Sequence, residues 1–185
     1  MTGYHHGDLP RQLLADAAAM AAEMGPEAIT LRELARRSEV SHSAPVHHFG
    51  TRQGLLTALA VEGFQALNDA LSAHRDDIHE MGVTYVTWAL DHPGHYAVMW
   101  QPRLLSGSSE DLVDARDRAW DLLSATVAQS APGDRDDPDE GTDAYAAFAI
   151  VHGLAGLWLS GALPYPEDAT ARARHVVRRL GLDRR

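Results

Sequence analysis

The sequence predicts an all-α fold: a three-helix N-terminal head containing a helix-turn-helix, joined by a long helix to a helical C-terminal body. Three observations carry this expectation. Apolar residues recur at i, i+3, i+4 spacing along most of the 185-residue chain. Caps and stops punctuate that pattern closely in the first part of the chain and more sparsely afterwards. No segment alternates apolar and polar residues as a half-buried strand would.

Taken in order, Leu9, Leu13, Ala17, Met20, Ala21 and Met24 make one apolar stripe, with Asp8 placed to cap it and Gly25-Pro26 to stop it. Thr30-Leu31-Arg32-Glu33 is a capping box, Thr30 accepting from the N3 amide and Glu33 reaching back to the cap. Ile29 and Leu34 stand at the N′ and N4 positions of a hydrophobic staple. This second helix runs only to about Arg37, because Ser38-Glu39-Val40 intervenes before Ser41, a further N-cap residue, and a third short helix through Phe49. Pro45 falls at N4 of that helix, close enough to its start for the missing amide proton to cost little. Thr51 caps a long helix over residues 52–73, with Leu55, Leu56, Leu59, Phe64, Leu67 and Leu71 on its apolar face. Further helices are predicted over 78–91, 93–99, 109–130, 142–162 and 168–180. The stretch 131–141, with Asp134, Asp136, Asp137, Asp139 and Glu140 among Pro and Gly, has the composition of a solvated loop.

Composition narrows the function. With 45% hydrophobic and 23% charged residues the chain is globular. It has no cysteine, which removes disulfides and thiolate metal sites, and its N-terminus lacks the pattern of a secretory signal, so a cytoplasmic location is expected. The net charge of −10 opposes nucleic-acid binding taken as a sum, but residues 1–52 are close to neutral and the acidic excess lies beyond them. All sixteen permanent cations are arginine. Residues 144–163 are nearly unbroken in apolarity. His152, Ser160 and three glycines interrupt them, and no aromatic belt with basic flanks accompanies them, so no membrane partner is expected. A helix apolar all round in a globular protein is buried on both sides, and a homodimer interface would supply the second.

Two short capped helices across a tight turn form a helix-turn-helix, whose second helix can enter the major groove of double-stranded DNA. The run Ile29-Thr30-Leu31-Arg32-Glu33-Leu34-Ala35-Arg36-Arg37, then Val40-Ser41, His48-Phe49 and Thr51-Arg52 with Leu55-Leu56, preceded by Tyr4-His5-His6-Gly7-Asp8-Leu9, resembles the tetracycline-repressor (TetR) family of regulators. Val151-His152-Gly153 is similar to the Trp-His-Gly signature of one C-terminal subgroup, with Val in place of Trp; His92-Pro93 and Leu157-Trp158-Leu159 accompany it. The resemblance implies a DNA-binding domain over 4–68 and a ligand-binding and dimerisation domain over 69–185. It also implies a homodimeric repressor on a palindromic operator, released by a small-molecule effector. Neither a cofactor nor a metal is implied.

On that reading Ser41, His42, Ser43 and Ala44 bring short or hydrogen-bonding groups to the start of the reading helix. His42, His47 and His48 offer imidazoles, and Ala44 and Val46 offer methyl contacts. Thr30 and Arg52 would hold phosphates from the starts of the flanking helices. Thr30, Ser41 and Thr51 are equally readable as caps, a role compatible with a phosphate contact. The family pattern has Gly where Glu39 stands, Leu or Ile and then Tyr where Pro45 and Val46 stand, and Lys at Arg52. A Cβ at position 39 must tolerate the turn, at positive φ if it is a tight one.

In the body, Tyr85, Trp88, Tyr96, Met99, Trp100 and Trp120 are candidate walls of a largely apolar effector pocket. His152 is readable either as a buried interface residue or as the polar handle of that pocket. Phe148, Val151, Ala155, Trp158 and Val177 are candidate dimer contacts on the last two helices, which would pair with their mates as a four-helix bundle.

Two alternatives stand beside this one. A helical enzyme would need a His/Asp constellation, but His79-Glu80 lacks the second His of a zinc-protease helix, His74-Arg75-Asp76 lacks the rest of a kinase loop, and no Gly-x-Ser-x-Gly elbow occurs. A helical interaction protein with a vestigial head would accommodate Glu39, Pro45 and Val46.

Overall fold

The computed structural model describes residues 9–130 and 141–180. The expected cap Asp8, the segment Tyr4-His5-His6-Gly7 and the acidic loop of 131–140 lie outside them. Among the described residues there are nine α-helices and no strand. They are α1 (Leu9–Met24), α2 (Leu31–Arg37), α3 (Ser43–Phe49), α4 (Arg52–Ser72), α5 (Ile78–Asp91), α6 (Pro93–Met99), α7 (Glu110–Ser130), α8 (Thr142–Leu159) and α9 (Ala169–Val177), with short 3-10 turns at Pro26–Ala28, Pro102–Leu104 and Arg178–Leu180.

 The helix α8 ends at Leu159, earlier than its apolar pattern suggests. Gly161 takes φ 71, and its amide and that of Ser160 close on the carbonyls of Trp158 and Gly156. A residue without a Cβ enters the left-handed region freely, and that reversal stops the helix.

The chain divides into two compact units: the chain up to Phe64 together with His92–Asp114, and Gln65–Asp91 together with the chain from Ala115 onward. In the first unit, Leu13, Ala17 and Met20 of α1, Leu34 and Ala35 of α2, and Leu55, Leu56, Leu59 and Ala60 of α4 are fully buried. These are the stripes the sequence shows, now facing one another. α6 lies against α1, and Gly94 permits the approach, since a Cβ there would stand 1.9 Å from the carbonyl oxygen of Ala18. His95 Nε2 meets Glu62 Oε2 at 3.0 Å, linking α6 to α4, and Phe64 meets Trp100 edge to face. After α6 the chain is tied to α4 by two polar bonds: Gln53 Nε2 donates to the Leu105 carbonyl, and the Ser106 amide donates to Thr57 Oγ1.

In the second unit α5 packs against both α8 and α9. Gly82 makes room for this, its missing Cβ replaced by the side chains of Val177 and Val151. Asp77 caps α5, accepting from the amides of His79 and Glu80, and Asp168 caps α9, accepting from that of Ala171. Arg174 donates two bonds to the Glu80 carboxylate, at 2.9 and 2.8 Å, and these hold Glu80 below the usual carboxylate range.

Candidate nucleic-acid interface

The helix-turn-helix is fixed by caps at both ends of its first helix. Thr30, extended at φ −128, accepts from the Glu33 amide at 3.1 Å, as the capping box requires. The return half differs: the Glu33 carboxylate is held by Arg36, which lowers its pKa, and not by the cap amide. Ile29 and Leu34, the staple pair, are both fully buried.

The turn that follows has the hydrogen bonds of a Schellman motif. The Val40 amide donates to the Ala35 carbonyl at 3.0 Å, the Glu39 amide donates to that of Arg36, and Glu39 itself sits at φ 55. Glu39 is the only non-glycine at positive φ among the described residues. Its Cβ is therefore tolerated at a cost of about 1 kcal/mol. Replacing Glu39→Gly is expected to stabilise the protein by about 0.5 kcal/mol, the relief of that strain less the added freedom of the unfolded glycine. Thermal unfolding followed by circular dichroism would register a rise of about 2–4 °C per kcal/mol, and an unchanged or lower midpoint would remove the strain argument.

Three further bonds anchor this turn and the helices beside it. Ser38 Oγ donates to Asp16 Oδ2, and Arg37 grips the Glu23 carboxylate with both terminal nitrogens, fastening the end of α2 to α1. Arg52 is the sequence-predicted phosphate ligand whose placement differs from expectation. Its Nε donates to the Ile29 carbonyl at 2.7 Å, and its Nη2 donates to those of Pro26 and Glu27 at 2.8 and 3.1 Å. Three carbonyls leaving the 3-10 turn converge on one guanidinium, so Arg52 joins the start of α4 to the entry of α2. Thr51 caps α4 as expected, accepting from the Gly54 amide.

Ser41 also departs from its expected role. α3 begins at Ser43 behind His42, which has helical φ and makes no side-chain cap, and Ser41 Oγ lies 3.2 Å from Ser43 Oγ. Pro45 consequently falls at N3, where the amide has no intrahelical acceptor, so the proline costs the helix no bond. Pro45 is buried, Ala44 is half-buried, and Ser41, His42, Ser43, Val46, His47 and His48 are exposed. Val46 shows half of its surface, and the rings of His47 and His48 meet edge to face at 5.2 Å. Thus one side of α3 closes the head's core, while its other side and the two residues before it present three imidazoles, two serines and a valine.

The residues expected to line a pocket fall into both packing units. Tyr96, Met99 and Trp100 belong to the first, and Tyr85, Trp88, Trp120 and His152 to the second. Met99, Tyr85 and Trp88 are buried, and the others are half-buried. Burial pushes the Tyr96 phenol up to about 12. The structure brings Tyr85, Phe148 and His152 together. His152 Nδ1 lies 2.9 Å from Tyr85 Oη, its ring stacks on Phe148 at 5.1 Å, and burial lowers its pKa, favouring the neutral imidazole. Trp120 meets Tyr145 instead, with centroids 4.7 Å apart.

The residues expected at a dimer interface lie mostly inward in the single chain. Val151, Ala155, Trp158 and Val177 are buried within the chain itself, in the core that α8 and α9 share with α5, and Phe148 is half-buried beside Tyr85. The opposite face of α8 is the one left exposed, with Tyr145, Ile150, Leu157 and Leu159 on it, followed by Leu163 and Tyr165. All-round apolarity concealed which side was which; only the 144, 147, 151, 155, 158 spacing distinguishes the inner face.

Among the described residues no helix is long and apolar enough to cross a membrane, and no group of three or more His, Asp or Glu is arranged to hold a metal ion.

Residues 13–59 match the family model for bacterial regulatory proteins of the tetR family, and residues 78–180 match the tetracyclin repressor-like C-terminal domain. No curated protein matches the chain. Among solved structures, a protein of unknown function from Rhodococcus sp. RHA1 is 36% identical, with a TM-score of 0.73, covering 96% of this chain and 98% of its own. A bacterial regulatory protein in the tetR family from Rhodococcus RHA1 is 23% identical, with a TM-score of 0.75 over 92% of this chain and 94% of its own. The transcriptional regulator FadR from Bacillus subtilis, in complex with stearoyl-CoA, shares the fold at 14% identity and a TM-score of 0.71, over 95% of this chain and 99% of its own. The chain belongs to the TetR family, and is a DNA-binding transcriptional regulator rather than an enzyme.

Proposed function

We propose that the protein is a cytoplasmic repressor that binds a palindromic operator as a homodimer and leaves it when a small, largely apolar effector binds. The observation that carries the reading is the division of α3. Its inward side completes a capped, buried head, and its outward side exposes Ser43, Val46, His47 and His48, with His42 exposed just before it. Those groups suit a major groove: serine and imidazole pair with base edges or phosphates, and Val46 matches a thymine methyl. Ala44, half-buried, stands beside them as a further methyl contact. Thr30 accepts with its oxygen in capping α2, which leaves its hydroxyl proton to donate to a phosphate. Ser41 would add a second hydroxyl.

Pairing of two copies is supported by the outward face of α8. Exposed Ile150 and Leu157 flank Gly153, beside which a Cβ would meet nothing within 4 Å in the single chain. A glycine inside an exposed helix costs about 1 kcal/mol relative to alanine, a cost offset where a partner backbone comes close. The effector is supported by the half-buried polar groups of the body, above all His152 beside Tyr85 Oη. A protein of this fold is known with stearoyl-CoA bound.

The test is selection of bound duplexes from random DNA with the full chain, followed by displacement with a small-molecule library. A twofold-symmetric consensus and at least one displacing compound are expected. Failure to enrich any sequence would end the operator reading; enrichment without displacement by any compound would end the effector reading alone.

A further inference from the structure

The surface that would face DNA holds few permanent cations able to meet phosphates. Arg36 is bound to Glu33, Arg37 to Glu23, and Arg52 to the carbonyls of Pro26, Glu27 and Ile29. Arg32 of α2 and Arg11 of α1 are exposed and make no ion pair among the described residues. No lysine exists to add to them. DNA affinity nevertheless comes largely from cations that displace condensed counterions. What the reading edge carries in their place is histidine, at His42, His47 and His48, all exposed.

We propose that His42, His47 and His48 are the titrating cations of the DNA interface, so that the protein takes up protons when it binds DNA. The inference rests on the DNA-binding reading above and specifies its chemistry. Histidine is the side chain whose charge changes between pH 5 and 8, and a phosphate beside an imidazole favours the charged ring. The rings of His47 and His48 lie 5.2 Å apart, so one stretch of polyanion can meet both.

The groups on the neighbouring elements do not replace this role. On α1 these are Arg11, Asp16 and Glu23; on α2, Arg32, Glu33, Arg36 and Arg37; in the turn, Glu39; and at the start of α4, Arg52. Asp16 accepts from Ser38, while Glu23 and Glu33 are held by arginines. Glu39 is exposed and adds a negative charge close to the reading edge, which makes the imidazolium form still more necessary for contact with phosphate.

The experiment measures binding of the full chain to a fluorescein-labelled duplex enriched from a random pool at pH 6, by anisotropy at fixed salt between pH 6 and pH 8. Affinity is expected to fall about tenfold or more over that range, as linked protons are lost. The slope of log affinity against log salt should be steeper at pH 6 than at pH 8 by about 1–2, because each imidazolium on a phosphate releases about one counterion. The double variant His47→Gln, His48→Gln alters only exposed side chains, and should reduce the pH effect to about threefold or less. The double variant His47→Arg, His48→Arg should bind at pH 8 more tightly than the wild type does at pH 8, keeping only the smaller pH effect that His42 supplies. Affinity independent of pH, affinity rising with pH, or a glutamine variant that keeps the full pH dependence would each overturn the inference while leaving the regulator intact. A chain that binds no duplex at any pH would instead overturn the DNA-binding reading.

Discussion

Substituting Gly94→Ala is expected to destabilise the protein by about 3 kcal/mol, the upper end of what an overpacked site costs. The added methyl would lie 1.9 Å from the Ala18 carbonyl oxygen and 2.7 Å from its carbon, and both are backbone atoms of a helix. A side chain in the way can rotate; a helical carbonyl cannot, because it is tied into the α1 ladder. The whole start of α6 must therefore withdraw from α1, loosening the contacts behind Pro93. Thermal unfolding should show a midpoint lower by about 6–12 °C for a chain of this length. Gly107→Ala serves as the control, since a Cβ there meets nothing within 4 Å and φ is not positive. Equal midpoints for the two variants would show that α6 does not approach α1 so closely.

Much of this architecture was legible in the sequence, for identifiable reasons. Thr30 and Thr51 each announce a helix start, because a side-chain oxygen that satisfies an otherwise unpaired amide is a local requirement, independent of what the helix later packs against. Both cap in the structure. The turn at Glu39 was readable as a place where a Cβ must accept positive φ, and it does so. What the sequence did not disclose depends on partners far along the chain. A stripe of apolar residues states that a face is buried, not against what. So the packing of α6 on α1, in the same unit as the head, follows only from Gly94 meeting Ala18 in space. Arg52 illustrates the same limit for a polar group. Its position beside a helix start suggests a phosphate ligand, but three carbonyls from residues 26–29 claim the guanidinium first. In α8 nearly every residue is apolar, so composition does not separate the inner face from the outer.

The exposed face of α8 gives the second large effect, expected from the pair Ile150→Asp and Leu157→Asp. Both side chains are exposed in the single chain, at 38% and 43%, so carboxylates there remain solvated and the helical circular dichroism should be unchanged. In the proposed pairing both would be desolvated between two apolar helices, facing their own symmetry mates as like charges. Sedimentation should then give monomers. A palindromic operator is held by two heads at once, so a monomer loses the effective concentration that links the second contact to the first. Operator affinity should fall by about 100-fold or more. Trp158→Asp makes the contrast: at 6% exposure it lies in the core of its own chain, and its loss should appear as unfolding of the second unit rather than as a folded monomer. If the Ile150→Asp, Leu157→Asp protein stays dimeric with operator affinity intact, the twofold contact lies elsewhere than on α8. If it becomes monomeric yet binds the operator as tightly as before, each head reads its site alone, and palindromic recognition is lost from the mechanism.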